Sequence, residues 1–539
     1  PRPWVIIPMV AVGLAVTFVL TPILNILIRS LTSGEGLGGW VRFVEEPKYL
    51  NALGNSLLLS ALVALIATVI GVFLAYFASR YRFPGKWLFT VLPLSALIIP
   101  ELIVAQAWLM LLGNNGVLTR WLKDVGIELP SVYGWPGMLL VMPLVTYPYV
   151  YLGTLAALRN FDSQLEEAAT SLGASPLAAR LKVTIPTILP AVLSTSILVF
   201  SLTLGNFTTA TIIGKQLDLL APLTYTAFLA EMGGDPAMQS TLATLSIAII
   251  ALVLLLQRFT VDRRRYEMVQ GRSWAPGRLR GASGAVMAVL AALVLLATVL
   301  PLGLVVVMAF TKGSGPVLKW GEFSLDTFRQ VLTGDPQPIL NTLAFGLTAC
   351  AIGVVISVVV STIIVKKRNP LAPLLDYLVM FPQALSGTVL GIGVVMTFAG
   401  GIWQLGGTAI IIVIVLVVRR LPHGVRSASG ILHSIPDSIE DAAVSLGVPP
   451  MKSYLKVVLP LMVPGIAAAA ILTWVTIVGE LSASLVVYSA GQETLSIKVF
   501  RLIFTGLNGQ AAVYGLILCA LAIVPIVIAT RVFKVRLFD

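Results

Sequence analysis

The sequence predicts an all-α integral membrane protein that consists of two parallel six-helix repeats. Hydrophobic residues make up 57% of the 539 residues and charged residues only 11%, far below the roughly 25% charged residues of soluble domains. Apolar runs of about 20 residues recur along the chain, and each is long enough to cross a hydrocarbon core about 30 Å thick as a helix. A polar segment also occurs in two nearly identical copies, which indicates an internal duplication.

We predict twelve membrane spans, six on each side of a polar segment at 259–282. The approximate spans are 5–28, 53–78, 88–112, 135–157, 191–213, 238–258, 283–310, 340–365, 374–399, 404–421, 465–487 and 510–531. The predicted domains are a first half (1–258), a linker (259–282) and a second half (283–539). Because each half has an even number of spans, both halves have the same orientation, as in a parallel repeat about an axis along the membrane normal.

The ends of corresponding spans support the duplication. Asn55 opens the second span as Asn341 opens the eighth, and Arg80 closes the second span as Lys366 closes the eighth. Both pairs are separated by 286 residues. The two halves therefore correspond span by span.

Basic residues indicate the orientation of the chain. Lys and Arg concentrate on the side that holds the N-terminus and both polar repeats, in the clusters Arg80–Arg82, Arg263–Arg265, Lys366–Arg368 and Arg419–Arg420. Because cytoplasmic loops carry an excess of Lys and Arg, both termini and both polar repeats are predicted to be cytoplasmic. The net charge of +12 then reflects topology and contact with anionic membrane lipid, and nucleic-acid binding is not indicated.

The two polar repeats lie in loops at 159–190 and 423–464, and their residues correspond at an offset of 274. The pattern that the two copies share is Glu166, Glu167, Ala168, Ala169 and Gly173 in the first copy, and Glu440, Asp441, Ala442, Ala443 and Gly447 in the second. Asp162 or Ser163 can cap a short helix, the acidic residues suit its first turn, and the glycine ends it. A second short amphipathic stretch at 176–184 is expected to precede a redirection at Pro186 and Pro190.

These loops resemble the EAA motif of permease subunits of binding-protein-dependent ABC importers. The motif is Glu167-Ala168-Ala169 with Gly173 in the first loop and Asp441-Ala442-Ala443 with Gly447 in the second. The resemblance covers both halves, and the ferric-iron class has such fused twelve-span permeases. It implies the type I importer fold, a cytoplasmic ABC ATPase dimer that docks on both loops, and an extracytoplasmic solute-binding protein.

The chain itself contains no G-x-x-x-x-G-K-[ST] phosphate-binding loop. We therefore expect a non-catalytic subunit that binds no cofactor, with ATP and Mg²⁺ bound by the partner ATPase. No catalytic constellation and no metal site are predicted. The resemblance further implies a location in the bacterial plasma (inner) membrane.

Four polar residues fall within predicted spans and are candidates for the translocation path: Asn206, Glu480, Glu101 and Gln383. A buried carboxylate in a membrane is costly and is usually functional. Asn206 and Glu480 correspond at the offset of 274, and we expect them to face each other across the pseudo-twofold axis. Glu101 and Gln383 are the second pair, although a carboxylate near the end of a span can also extend into the interface.

The resemblance leaves the solute open. Ferric iron is the first expectation, because the fused architecture is similar to that class, and thiamine, 2-aminoethylphosphonate and polyamines are transported by similar proteins. A twelve-span secondary transporter also has two parallel six-helix halves, but it has no need for two EAA loops. An intramembrane enzyme would require convergent His, Ser or Asp residues at membrane depth, and the sequence has none.

Overall fold

The computed structural model describes residues 3–33, 36–229, 235–260, 277–278, 281–314, 317–366 and 370–531. The helices of the first half are α1 (Pro3–Ala15), α2 (Thr21–Thr32), α3 (Gly38–Glu45), α4 (Pro47–Arg80), α5 (Leu88–Ile98), α6 (Glu101–Leu112), α7 (Val117–Asp124), α8 (Trp135–Arg159), α9 (Ser163–Ser171), α10 (Pro176–Ala179), α11 (Ile185–Leu204), α12 (Thr208–Ile212), α13 (Leu220–Leu229) and α14 (Pro236–Thr260).

The helices of the second half are α15 (Gly281–Phe310), α16 (Asp326–Gly334), α17 (Gln337–Val365), α18 (Ala372–Ala384), α19 (Gly387–Phe398), α20 (Ala409–Ser434), α21 (Asp437–Ser445), α22 (Pro450–Ser453), α23 (Leu459–Val478), α24 (Ser484–Val487), α25 (Leu495–Phe504) and α26 (Asn508–Arg531). Two short strand pairs accompany them. β1 (Tyr81–Arg82) pairs in parallel with β2 (Gly277–Arg278), and β3 (Thr311–Ser314) pairs antiparallel with β4 (Val317–Phe323).

The protein is an all-α, multi-pass membrane protein. Within the described residues, ten helices are long and apolar enough to cross a membrane, and α18 with α19, bent by 115°, makes an eleventh if the pair is one span. The tenth predicted span, 404–421, corresponds mainly to α20, which carries Arg419 and Arg420 near its middle and Arg426 beyond them. The apolar run thus ends before the helix does.

The fifth and eleventh spans begin earlier than the sequence analysis places them. The predicted spans 191–213 and 465–487 are Pro176–Leu204 and Pro450–Val478 in the structure. In each, a π-helical turn, Arg180–Thr184 or Tyr454–Val458, joins a short helix to the long one. Pro186 and Pro190 both lie in α11 rather than at a redirection of the chain. The wide turn absorbs the local disruption that a nearby proline causes in an α-helix.

Contacts divide the chain into two compact units that differ from the predicted halves. The N-unit comprises Phe43–Leu223 and Leu245–Val305, and the C-unit comprises Pro1–Arg42, Thr224–Thr244 and Val306–Asp539. The first span of each half belongs mainly to the unit built from the other half. Within the C-unit, α1 and α2 contact α17, α18 and α19. The predicted linker, 259–282, lies largely outside the described residues, and the division into 1–258 and 283–539 stays a prediction.

Each unit has the same three-helix core. In the N-unit α4, α8 and α11 contact one another, and in the C-unit α17, α20 and α23 do so. Small buried residues line α4 at intervals of three or four, namely Ala52, Ser56, Ser60, Ala64, Ala67, Gly71, Ala75 and Ala78. The corresponding stripe of α17 is Thr342, Gly346, Ala349, Gly353, Ser357 and Ser361. Such stripes let helix backbones approach closely, which is the main source of packing energy between membrane helices.

A close approach between the first two helices of each core depends on a glycine, but on opposite helices. A Cβ atom at Gly71 of α4 would lie 2.8 Å from the backbone nitrogen of Tyr151 and 2.8 Å from Cβ of Val150, both in α8. In the C-unit the glycine is Gly424 of α20, where a Cβ atom would overlap the hydroxyl of Ser357 in α17. Gly71 corresponds to Ser357, and Val150 to Gly424. Each unit therefore has one glycine at this contact, on the first core helix in the N-unit and on the second core helix in the C-unit.

The paired Asn55 and Asn341 also have equivalent roles at the starts of α4 and α17. Nδ2 of Asn55 donates to the carbonyl of Asp218 at 3.2 Å, and Nδ2 of Asn341 donates to the carbonyls of Gly491 and Glu493 at 2.9 Å. Each asparagine thereby fastens the long helix to the segment that precedes α13 or α25.

We predict that Gly71→Val destabilises the protein by about 1–3 kcal/mol, because the added side chain must displace the backbone of α8. Thermal unfolding of the purified protein in detergent would measure the loss. Gly54→Ala in the same helix is the matched control, since nothing lies within 4 Å of a Cβ atom there. Equal unfolding temperatures for Gly71→Val and the unchanged protein would contradict the close packing of α4 on α8.

Candidate coupling loops and intramembrane polar turns

The first EAA loop forms a short helix, α9, with a defined beginning and end. The carboxylate of Asp162 accepts from the backbone nitrogen of Gln164 at 3.0 Å and caps the helix. At the other end Gly173 has φ +92°, its nitrogen donates to Thr170, and the nitrogen of Ala174 donates to Ala169, both at 3.0 Å. These two bonds with a left-handed glycine are a Schellman motif.

The second EAA loop repeats this geometry in α21. Gly447 has φ +86°, its nitrogen donates to Val444 at 2.9 Å, and the nitrogen of Val448 donates to Ala443 at 3.1 Å. The start of the helix differs, because the N-cap is Pro436 and no side chain caps it. The glycine ending is therefore the part that both loops share.

The exposed side of both helices has the same composition. Glu167 and Ala168 in the first loop, and Asp441 and Ala442 in the second, are exposed, whereas Ala169 and Ala443 are half-buried. The most exposed apolar side chains of the loops are Leu172 (89%) and Leu446 (85%), each directly before the glycine. These two leucines correspond at the offset of 274, so both loops expose an apolar side chain at the same position.

Glu166 faces inward and holds the first loop to the membrane helices. Its carboxylate accepts from Arg80, at the end of α4, at 2.5 Å and from Thr184 at 3.1 Å. Arg180 lies 3.6 Å from the same carboxylate, whose side chain is only 10% exposed. The acidic residue before the motif is thus a buried anchor, while Glu167 points to solvent.

The anchor of the second loop is weaker. Lys366, which corresponds to Arg80, donates to Asp437 at 2.6 Å and to the carbonyl of Ile435 at 2.5 Å, but the side chain of Asp437 is 78% exposed. Tyr454 and Val458 stand where the first loop has Arg180 and Thr184. Glu440 is half-buried, and its carbonyl accepts from Ser453 at 3.4 Å.

The structure brings Asn206 and Glu101 together in the N-unit. Asn206 follows α11, and its Nδ2 donates to the carboxylate of Glu101, the first residue of α6, at 2.6 Å. The hydroxyl of Thr209 donates to the same oxygen of Glu101. Asn206 and Glu101 are both half-buried. An amide and a hydroxyl therefore solvate a carboxylate that has no ion-pair partner among the described residues.

Glu480 has a different environment in the C-unit. Its carboxylate pairs with Arg420 of α20, Arg419 lies 3.8 Å away, and the side chain is only 2% exposed. The guanidinium of Arg419 also donates to the carbonyls of Pro382, at 3.0 Å, and Leu385, where the chain bends between α18 and α19. The prediction that Arg419 and Arg420 are loop charges is wrong, because both lie inside the C-unit beside Glu480.

Gln383 does not match Glu101 in position. It lies within α18, before the bend, and is exposed, whereas Glu101 begins the helix after the corresponding break. By helix starts, the counterpart of Glu101 is Gly387, which begins α19. The facing of Asn206 and Glu480 across the pseudo-twofold axis stays a prediction, as does the role of all four residues in translocation.

Sequence reasoning missed the partners of the acidic residues and the exposed leucines. Arg80 ends a span directly before the loop region, and Arg420 ends an apolar run, so both have an ordinary explanation in topology. The repeat offset was the available signal for Leu172 and Leu446, which correspond at 274. In the described part of the chain no three His, Cys, Asp or Glu side chains gather as metal ligands.

We predict that Arg80→Ala destabilises the protein by about 1–3 kcal/mol and opens the first loop to protease, because it removes the main partner of a buried carboxylate. Lys366→Ala is the matched variant in the second half. Its effect is expected to be smaller, since water can solvate the exposed Asp437. Thermal unfolding and limited proteolysis would compare them, and an equal loss in both variants would show that the anchors are equivalent.

Comparison with known proteins gives the family. The family model described as binding-protein-dependent transport system inner membrane component matches residues 67–266 and again 353–537. The ferric transport system permease protein FbpB of Actinobacillus pleuropneumoniae is 26% identical over 93% of this chain and 74% of its own length. The putrescine transport system permease protein PotI of Escherichia coli is 27% identical over 50% of this chain and 94% of its own.

Among solved structures, a bacterial ABC transporter that imports the acidic polysaccharide alginate matches 49% of this chain and 97% of its own, with a TM-score of 0.39 and 17% identity. The family model covers well over half of the chain, in two copies that each include one EAA loop. The prediction of a fused double permease, and of a subunit that is not itself an enzyme, is confirmed. The chain belongs to the family of binding-protein-dependent transport system inner membrane components, as a type I ABC importer permease with both copies in one polypeptide.

Proposed function

We propose that this permease imports ferric iron across the bacterial plasma membrane, driven by a pair of cytoplasmic ABC ATPases. The proposal that the ATPases dock on the two EAA loops rests on the common C-terminal geometry of α9 and α21. Each helix presents an exposed alanine and a leucine that is at least 85% exposed, directly before a left-handed glycine. Two equivalent docking surfaces suit an ATPase dimer, one subunit on each loop.

The substrate proposal rests on the relatives. A permease named for ferric transport matches over 93% of the chain, and the fused architecture is common to both. The match to a putrescine permease over half of the chain makes a polyamine the second candidate, beside thiamine and 2-aminoethylphosphonate. The solute would be delivered by an extracytoplasmic binding protein and released inward by alternating access.

The distribution of basic residues supports the proposed orientation. The loop between α4 and α5 contains Arg82 and Lys86, and the pKa of Lys86 is lowered by its burial and by the nearby Arg82 and Arg159. This concentration of positive charge, on the same side as the EAA loops, supports cytoplasmic loops and termini. It also places cationic groups where anionic lipid headgroups lie.

The link from loop to membrane is direct in this fold. The helical run Pro176–Leu204 begins beside the first EAA loop and ends two residues before Asn206, and Pro450–Val478 does the same for the second loop and Glu480. A displacement of either loop by its ATPase therefore acts on a continuous helix of about 43 Å. We propose that Asn206, Glu480, Glu101 and Gln383 lie along the translocation path, with Asn206 and Glu480 just beyond the far ends of these helices.

We predict ATP-dependent uptake of ⁵⁵Fe(III) into proteoliposomes that contain the permease with its co-purified ATPase and an iron-loaded binding protein. Radiolabelled putrescine is the parallel test of the second candidate. Uptake of putrescine but not iron would replace the substrate and leave the importer class intact. Uptake driven by an ion gradient without ATPase would contradict the proposed function.

Replacing Gly173 and Gly447 together by Val is expected to uncouple transport from ATP hydrolysis. A β-branched residue is strained at these positive φ values, so the Schellman ending and the leucine before it are displaced. Uptake should fall by at least about tenfold, while membrane insertion and the unfolding temperature of the spans persist. Gly430→Ala, in the helix before the second loop with nothing within 4 Å of an added Cβ, is the control. Unchanged uptake in the double variant would remove the proposed role of the loops.

A further inference from the structure

Two turns at equivalent positions cap short helices in the same way. Oδ1 of Asn206 accepts from the backbone nitrogens of Thr209, at 3.1 Å, and Ala210, at 3.3 Å. Oε1 of Glu480 accepts from the nitrogen of Ala483, at 3.1 Å, and from the hydroxyl of Ser482, at 3.0 Å. Thr209 and Ala483 correspond at the offset of 274. Each side chain therefore uses one oxygen to hold the turn after α11 or α23.

The second polar atom of each side chain has the opposite hydrogen-bonding character. Nδ2 of Asn206 can only donate, and it donates to Glu101. Oε2 of Glu480 can only accept, and it accepts from Arg420. The partner has changed with the residue, an acceptor in the N-unit and a donor in the C-unit, so the contact is complementary in both.

Neither partner occurs twice. The counterpart of Arg420 is Thr146, whose hydroxyl donates to the carbonyl of Met142 at 2.8 Å within α8. The counterpart of Glu101 is Gly387, where a side chain would collide with the hydroxyl of Ser482. Among the described residues, the N-unit therefore has no basic partner for this turn, and the C-unit has no space for a carboxylate at Gly387 of α19.

The two turns consequently differ in charge and in access. In the C-unit Arg419, Arg420 and Glu480 sum to +1, and the carboxylate is 2% exposed. In the N-unit Glu101 contributes −1 and is half-buried. A buried charge with a hydrogen-bonded partner of opposite sign is committed to that partner.

We propose that Arg420 is the positioning residue of Glu480, and that the acidic contact for a cationic cargo is Glu101 and not Glu480. This rests on the proposed function, in which the turns line the translocation path. Glu480 stabilises the fold through its ion pair with Arg420. Glu101 accepts only from an amide and a hydroxyl among the described residues, so its carboxylate can bind a cation. Of the two equivalent turns in the described part of the chain, only that of the N-unit then offers an acidic contact to the cargo.

The positioning role of Arg420 is tested by a double-mutant cycle. The substituted residues are those found at the equivalent positions of the N-unit. Glu480→Asn leaves Arg420 without its partner, and Arg420→Thr leaves Glu480 with only the more distant Arg419, 3.8 Å away. Each variant is expected to lower the unfolding temperature and the yield of folded permease. The double variant has the residue types of Asn206 and Thr146 and removes both members of the pair. It is expected to recover part of both losses, since Arg419 still donates to the carbonyls of Pro382 and Leu385. Glu322→Gln, which removes a solvent-exposed pair with Lys312, is the control with no expected effect. Additive losses in the double variant would overturn the role of Arg420.

The cargo part is tested by Glu101→Gln in the full complex with ATPase and binding protein. Glutamine keeps the oxygen that accepts from Asn206 and Thr209, so the unfolding temperature should not change. The KM for ⁵⁵Fe(III) delivered by the binding protein is expected to rise about tenfold, as for the loss of one charge-assisted contact. An unchanged KM here, or a similar rise in the stable double variant of Arg420 and Glu480, would overturn the assignment. A parent protein that takes up no iron would contradict the proposed substrate, while the stability cycle still decides the role of Arg420.

Discussion

The close approach of α4 to α8 at Gly71, with the equivalent approach of α17 to α20 at Gly424, is the constraint on which each unit depends. Small side chains let these backbones meet, and α11 or α23 completes the core against them. Every functional element is attached to an end of one of these helices. Arg80 ends α4, the first EAA loop follows α8, and the turn at Asn206 follows α11. If the core helices separated, the loop would lose its anchor and the polar turn its position together.

Corresponding contacts in the two units preserve complementarity and not residue identity. At the helix crossing, Gly71 packs against Val150 in one unit and Gly424 against Ser357 in the other. At the turn, an amide donates to a carboxylate in one unit, and a carboxylate accepts from a guanidinium in the other. At the loop anchor, a buried Glu166 is matched by an exposed Asp437. In a membrane interior each polar atom needs a partner, so a change on one side of a contact requires a matching change on the other.

The fold class and the two EAA loops could be predicted from the sequence because their signals are local. Apolar length, a capping residue such as Asp162 and a helix-ending Gly173 act within a few residues of the chain. The starts of the fifth and eleventh spans could not be placed, since the π turns before Pro186 and Pro460 let helix continue through proline-rich segments. The partners of Glu166 and Glu480 were missed for another reason. Arg80 and Arg420 are 86 and 60 residues away, and only the folded core brings them near.

The fusion of both halves into one polypeptide has a consequence for how such a contact can evolve. In a permease of two identical subunits every residue is present twice, so an arginine that neutralises one glutamate would appear on both sides, and a single uncompensated carboxylate could not exist. Here the copies at Thr146 and Arg420, or at Glu101 and Gly387, change independently. Covalent linkage also guarantees one of each half in every assembled molecule. The two equivalent turns of the duplicated chain can thus have different roles, one in stabilising the fold and the other in contacting the solute.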